Sequence, residues 1–295
     1  MIIMEFTEIK KTPLFDAFSE LGKRIFLPEG IFYWSGRAKK EAELIGTIGS
    51  AHARESDFIN GGSEEWLPCY LSEIRNYINN LHVKEITPYA SIAGLADIRT
   101  QWKKWMIKKS LLDEHSNFRE IHHLEKFTTL PVITAGLTNG IYLASALFLN
   151  PGEFIISPNK RWGNYDNIIS RFIGAKIKSF EFFKDDQINL EGLKDAIRQV
   201  AEVQKKIVLI LNFPNNPTGY VPSKQEARDI VNALNDLQQR LNLPMIVMVD
   251  DAYEPYIYRE DVLQKSLFYD LHEPVSYTHL RAHETSLHLV CRLLL

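Results

Sequence analysis

At 295 residues the chain is long enough to bury a large core, as one large domain or two smaller ones. Hydrophobic residues make up 45% of it and charged residues 24%, and a formal charge of −3 argues against nucleic acid or an anionic membrane as a partner. Two cysteines give no disulfide framework, and no apolar run approaches the roughly 20 residues of a membrane helix, so we expect a cytoplasmic protein.

The N-terminal part of the chain has less regular patterns than the rest. Residues 66–82 and 92–109 are predicted as helices. Four apolar side chains lie on one side of the second helix, namely Leu95, Ile98, Trp102 and Trp105. We assign residues 1–50 to an N-terminal arm and part of a smaller domain, and residues 51–274 to the large domain.

From residue 130 to residue 251, short β-rich runs alternate with helical stretches. The predicted strands are Pro131–Thr134, Glu153–Ser157, Ile207–Phe213 and Met245–Val249. The predicted helices are Ile141–Leu149, Leu190–Gln204 and Ser223–Leu241. Ser223 is the expected N-cap of the last helix, where Glu226 completes a capping box. This alternation predicts an α/β fold with a mainly parallel sheet sandwiched by helices.

Two motifs follow the first two of these strands, and each has an ordinary explanation when taken alone. Ala135–Ile141 (AGLTNGI) offers small residues and a threonine at a helix N-terminus, which suits a phosphate group. It is equally a glycine turn before a core helix. Trp162–Tyr165 (WGNY) has a tryptophan that serves as a shelf for a cofactor ring, or as simple packing.

Two further motifs follow the last two strands. Asn212–Tyr220 (NFPNNPTGY) stands where ligands bind in open α/β sheets, although Asn, Pro and Gly are also the usual turn formers. Asp250–Tyr253 (DDAY) brings a carboxylate and a phenol to a strand end, and is otherwise an acidic loop. Our interpretation therefore depends on all four motifs together and on their order.

In this order the motifs resemble the class I/II aminotransferases, which are fold-type-I enzymes dependent on pyridoxal phosphate. Tyr89–Arg99 (YASIAGLADIR) is similar to another segment of that family, with Ser91 where proline is usual. The resemblance extends over residues 25 to 273. It implies that residues 51–274 form the large domain that binds the cofactor, pyridoxal 5′-phosphate.

The resemblance also implies a role for each motif residue. Asp250 and Tyr253 are the catalytic candidates: Asp250 would keep the pyridine nitrogen of the cofactor protonated. Asn216 and Tyr253 would hydrogen-bond the 3′-oxygen of its ring. Trp162 would stack on the ring face.

The phosphate and the substrate are assigned to other residues by the same resemblance. Leu137 and Thr138 would hold the phosphate through a backbone N–H and a hydroxyl. Tyr89 would reach the phosphate from the second subunit of a homodimer. Gly49, in the run GTIG, is similar to the small residue beside the substrate carboxylate.

The C-terminal residues depart from the family pattern. The family carries a Schiff-base lysine beyond the aspartate strand, but Val275–Leu295 contains no lysine. We interpret Lys265 as part of a charged, solvated stretch and reject it for this role. The run VSYTHLRAHET resembles the translation of a transposon adapter used in sequencing, so we interpret residues 275–295 as a non-native tail on a truncated chain. A metal pair at His279 and His283 is rejected for the same reason, and no metal is expected.

We therefore expect an aminotransferase that moves an amino group between its two substrates, an amino acid and a 2-oxo acid. The full-length parent is expected to be a homodimer, and the chain without its lysine to be inactive. Two alternatives stay open. One is another fold-type-I pyridoxal-phosphate enzyme, such as a lyase, decarboxylase or acyl-transfer synthase. The other is a non-enzymatic α/β module that binds a ligand.

Overall fold

The computed structural model of the protein describes residues 18–19, 21, 30–47, 52–69, 77, 79–82, 87, 90–110, 125–126, 128–271 and 290–294. The chain divides into two compact units, Met1–Ala90 and Ser91–Leu295. The domain boundary at residue 50 and the non-native origin of residues 275–295 stay predictions. Among the described residues, no helix is both long enough and apolar enough to cross a membrane.

The first unit contains helix α1 (Ile31–Glu41) and a hairpin of strands β1 (His52–Arg54) and β2 (Trp66–Pro68), which pair antiparallel. In the connection between the strands, Gly62 lies close to the backbone of Glu55. A Cβ atom added at Gly62 would lie 2.6 Å from the backbone of Glu55, so the turn has no room for a side chain there. The helix predicted from residue 66 was wrong at its start, because the backbone of β2 is engaged in strand pairing.

The second unit is built on a sheet. Its strands are β3 (Phe154–Pro158), β4 (Lys176–Phe180), β5 (Phe183–Lys184), β6 (Gln187–Ile188), β7 (Ile207–Asn212), β8 (Met245–Asp250) and β9 (Val290–Leu294). Five of them form one sheet in the order β4-β3-β7-β8-β9, and β5 pairs with β6 in a separate hairpin. The first four strands of the sheet run parallel, and β9 pairs antiparallel with β8.

Helices cover both faces of this sheet, which confirms the predicted α/β class. They are α2 (Ala96–Ser110), α3 (Leu137–Phe148), a π-helix (Asp166–Ile173), α4 (Leu190–Ala201), α5 (Lys224–Leu241) and α6 (Leu267–Asp270). Alternate residues of β8 point to opposite faces: Val247 packs with α4 and α5, and Met248 packs with α3 and the π-helix. Both strands at the centre, β7 and β8, are buried along their whole length.

The capping box at the start of α5 is confirmed. The Ser223 hydroxyl accepts the backbone N–H of Glu226 at 3.1 Å, and the Glu226 carboxylate accepts the N–H of Ser223 at 2.8 Å. The strand predicted at Pro131–Thr134 was wrong. Pro131 has no N–H to donate, and the N–H of Ile133 bonds the carbonyl of Ala93 at 2.9 Å instead of a sheet neighbour.

The prediction for residues 92–109 was right about the helix and incomplete about its buried face. Leu95, Ile98 and Trp105 are about half exposed. The helix meets the core through Met106, which is buried, and through Trp102, which is partly buried. Trp102 and Met106 are spaced four residues apart and so share a side of the helix.

Candidate active site

The four motifs belong to the second unit, and three of them follow the carboxyl ends of neighbouring strands. WGNY follows β3, NFPNNPTGY begins at the end of β7, and DDAY begins at the end of β8. In the sheet, β7 lies between β3 and β8, and Asn212 is paired with Asp250. This edge is where open α/β sheets bind their ligands.

Asp250 is the most buried carboxylate of the motifs, with 3% of its surface exposed. One of its oxygens, Oδ2, accepts the phenol O–H of Tyr165, and the other, Oδ1, accepts the N–H of Ala252 at 3.2 Å. Burial raises the pKa of the Asp250 carboxyl, and the two hydrogen bonds oppose that rise by favouring its charged form.

Tyr165 was missed as a site residue by the sequence interpretation, although it stands in the WGNY motif. Its side chain is buried with 1% of its surface exposed. Burial and the charge of Asp250 raise the pKa of the Tyr165 phenol well above its ordinary value. The phenol therefore keeps its proton and acts as a donor to the carboxylate. Any signal in the sequence was limited to a second aromatic residue three positions after Trp162.

Asn216 and Tyr253 lie side by side at the same edge. The Asn216 side-chain amide is 3.4 Å from the Tyr253 phenol oxygen, as donor to acceptor. The N–H of Asn216 is held by the side-chain oxygen of Asn212 at 2.6 Å, and the Asn212 amide donates to the carbonyl of Asp250 at 2.9 Å. Asn212, which was also missed, thus joins the two strand ends that carry Asn216 and Asp250.

The NNPTG run is also a turn, as its composition suggested. The Asn215 side-chain oxygen accepts the hydroxyl of Thr218 at 2.7 Å, and Gly219 has a positive φ of 71°. The Asn215 amide reaches across to the carbonyl of Lys160 at 3.2 Å, which links this turn to the loop before Trp162. The turn is therefore compatible with a binding site, because it holds the loop that carries Asn216.

Trp162 is brought next to Tyr165, with ring centroids 5.7 Å apart in an edge-to-face arrangement. Its loop is held by Arg161, whose guanidinium makes two hydrogen bonds to the Asp166 carboxylate, at 3.1 and 2.7 Å. The ring is partly buried against the core, so Trp162 contributes to packing whatever else it does.

Leu137 and Thr138 form the first turn of α3. No side chain caps this end of the helix, and its N-cap residue, Gly136, has a positive φ of 81°. First-turn N–H groups without a cap are suited to an anion. Leu137 packs against the same hydrophobic cluster as Trp162. Gly49 and Tyr89 lie outside the described residues.

Lys265 is not solvated, so that part of the sequence interpretation was wrong. Its side chain is 14% exposed, and its ammonium lies 3.7 Å from the carboxylate of Asp270 on α6. The aliphatic part of a lysine is readily covered when its charge has a partner.

The family model described as aminotransferase class I and II matches residues 71–278. A probable aspartate aminotransferase of Methanocaldococcus jannaschii is 25% identical over 149 residues, which are 50% of this chain and 36% of that protein. A histidinol-phosphate aminotransferase of Pelagibacter ubique is 31% identical over 127 residues, or 43% of this chain and 31% of that protein.

A solved structure agrees in fold. A Thermus thermophilus aspartate aminotransferase variant superposes with a TM-score of 0.60 at 18% identity, covering 86% of this chain and 57% of that one. The chain spans little more than a third of the length of the first curated relatives it matches, 36% to 38%. The family model covers well over half of the chain. The chain therefore belongs to the class I and II aminotransferase family.

Proposed function

We propose that this chain carries the pyridoxal-phosphate site of an aminotransferase, which moves an amino group between an amino acid and a 2-oxo acid. The observation that carries the proposal is the buried Asp250 carboxylate at the end of β8, fixed by Tyr165 and Ala252. Beside it stands the pair of Asn216 and Tyr253. Membership of the family supports the reaction class.

The donor set fits the cofactor. Pyridoxal phosphate presents a phosphate, a ring nitrogen that binds a proton, a phenolic oxygen and a flat ring. The uncapped first turn of α3, with Leu137 and Thr138, suits the phosphate. A buried carboxylate at Asp250 suits a protonated ring nitrogen, since two opposite charges at a site of low dielectric attract strongly.

When bound, the cofactor supplies an electron sink for the bonds to the substrate's α-carbon. Asp250 would hold a proton at the ring nitrogen, and its own orientation comes from Tyr165. The Asn216 amide and the Tyr253 hydroxyl would direct hydrogen bonds at the phenolic oxygen. Trp162 would cover one ring face and exclude water from it.

The partners follow from the same proposal. The substrates are an amino acid and a 2-oxo acid, and Gly49 is assigned to the substrate carboxylate. Relatives are named for aspartate, histidinol phosphate and LL-diaminopimelate, so the proposal stops at this substrate class. The full-length parent is proposed to be a cytoplasmic homodimer in which Tyr89 reaches the phosphate of the partner's site.

Titration of the 295-residue chain with pyridoxamine 5′-phosphate tests the site directly, because this form of the cofactor needs no covalent bond to a lysine. Calorimetry should give one site per chain, with quenching of the Trp162 fluorescence. Asp250→Ala should weaken binding by at least about tenfold, because the ring nitrogen loses its carboxylate partner. Asp195→Ala, on the exposed face of α4, is the matched control. Equal affinity in wild type and Asp250→Ala would overturn the assignment.

A further inference from the structure

An ion pair between two residues 145 positions apart in the chain anchors the segment that follows Asp250. The ammonium of Lys109, in the last turn of α2, pairs with Oε2 of Glu254. Only 21% of the lysine side chain and 9% of the glutamate side chain are exposed. The second oxygen, Oε1, accepts the N–H of Ser266 at 3.0 Å, at the start of α6. One carboxylate thus joins three parts of the second unit.

Glu254 follows Tyr253 in the chain, and backbone hydrogen bonds between near neighbours link it to the proposed cofactor site. Its N–H donates to the carbonyl of Asp251 at 2.9 Å, and the N–H of Tyr256 donates to the carbonyl of Tyr253 at 2.9 Å. The N–H of Ala252 is the donor to Asp250 itself. Residues 250–256 are therefore a series of tight turns, and the Glu254 side chain links them to α2 and to the start of α6.

The charges around this anchor need a cation. Asp251 is hydrogen-bonded to the Ser266 hydroxyl and also faces the carboxylates of Glu254 and Asp250. Burial raises the pKa of Asp251 to about 6, and the charge of Lys109 acts in the opposite direction. The phenol of Tyr269 faces Asp251 and Glu254 as well. Without Lys109, this acidic segment would lose the cation that faces it, and the pKa of Asp251 would rise further.

We propose that Lys109 is a positioning residue for the proposed cofactor site: by pairing with Glu254 it fixes the turns that hold Asp250 and Tyr253 in place. The inference rests on the proposed function. It assigns to α2 a share in the site although none of the four motifs at the strand ends and at α3 includes a residue of α2. Removal of Lys109 leaves Glu254 as a buried carboxylate without its cation. We expect the segment to move toward water, where that charge is solvated.

Hydrogen–deuterium exchange on the chain without cofactor tests the anchor. Lys109→Met should speed the exchange of the amides of Ala252, Glu254, Tyr256 and Ser266 by at least about tenfold, with β3 unchanged. Lys108→Met is the matched control, since Lys108 is exposed one position away. Lys109→Arg should restore protection. If Lys109→Met fails to fold, Glu254→Gln removes the negative charge of the pair instead. Unchanged exchange in both charge-removing variants would overturn the inference.

Pyridoxamine 5′-phosphate titration then separates the two proposals. We expect Lys109→Met to bind about tenfold more weakly than wild type, and Lys109→Arg to bind nearly as well. Wild-type chain that does not bind overturns the proposed function, and the positioning role with it. Wild-type and Lys109→Met chains that bind equally well overturn the inference alone.

Discussion

The hydrogen bond between Tyr165 and Asp250 connects residues that are 85 positions apart in the chain. Both side chains are buried, and burial raises the pKa of both groups. The phenol is the weaker acid of the two, so the proton of the pair stays on Tyr165 and the carboxylate stays ready to face a positive group. The hydroxyl of Tyr165, together with the N–H of Ala252, thereby orients Asp250 and favours its charged form.

Replacement of Tyr165 by phenylalanine tests this relation. The ring would keep its packing, but the buried carboxylate would lose its O–H donor, so we expect a loss of about 1–3 kcal/mol in the free energy of unfolding. The pKa of Asp250 should rise further, and pyridoxamine 5′-phosphate should bind more weakly at neutral pH. Tyr258→Phe is the control because Tyr258 is 92% exposed. Equal affinity of both variants would show that the hydroxyl has no influence on Asp250.

The residues at strand ends were predictable, and those that support them were not. Asn216, Asp250 and Tyr253 follow continuous apolar runs, so their place at one edge follows from a parallel sheet. Tyr165 follows β3 in the chain, so its contact with Asp250 depends on the strand order β3-β7-β8. Local sequence patterns do not predict that order. The same holds for Lys109, whose partner is 145 positions away.

Among the elements of the fold, the start of α5 also links other segments, through the carboxylate of Glu226. Besides accepting the N–H of Ser223, the Glu226 carboxylate accepts the N–H of Ile188 at 3.2 Å and the phenol O–H of Tyr220. Hydrogen bonding to these donors holds the pKa of Glu226 below its ordinary value, against the effect of its burial. Glu226 therefore ties the β5–β6 hairpin and the turn after β7 to the helix.

Two substitutions separate the cap from the wider network. Ser223→Ala should cost about 1 kcal/mol in the free energy of unfolding, the usual value for an N-cap. Glu226→Ala should cost clearly more, since it leaves the N–H of Ile188 and the partly buried hydroxyl of Tyr220 with fewer partners. Urea unfolding measures both. Equal costs would mean that Glu226 acts through the cap alone.

Some elements could not be read from local patterns, for identifiable reasons. The helix α2 carries apolar side chains on more than one side, so its periodicity indicated Trp102 but did not reveal that Met106 faces the core. No helix of any kind was predicted at Asp166–Ile173, where the structure has the π-helix, because its eight residues are fewer than the roughly 11 over which a helical repeat is recognised. The capping box was predictable because it is a contact within four residues.

For the whole molecule, Asp251 makes stability depend on pH. Burial raises its pKa from the ordinary 3.8 to about 6. The folded chain therefore binds this proton more tightly than the unfolded chain, so the contribution is favourable below about pH 4 and is lost as the pH rises to about 6. The shift corresponds to about 3 kcal/mol.

Asp251→Asn should remove this dependence. We expect the free energy of unfolding of the variant to fall less than that of wild type between about pH 4 and 6, as measured by urea unfolding at each pH. Asp195→Asn, at an exposed position on α4, should follow the wild-type profile. Parallel profiles of wild type and Asp251→Asn would show that the carboxyl of Asp251 titrates at its ordinary pKa.

The order of strands in the sheet also determines which chain loops must close during folding. The pairing of β7 with β8 closes a loop of 38 residues, Ile207 to Met245, with α5 forming inside it. The pairing of β3 with β7 joins Ile156 to Leu209 and must close a longer loop, which costs more chain entropy and is slower. On loop entropy alone, we expect the β7–α5–β8 segment to assemble first, so that Asn216 and Asp250 meet before Tyr165 arrives. In that order, the carboxylate of Asp250 has water as its partner until the loop after β3 closes over it.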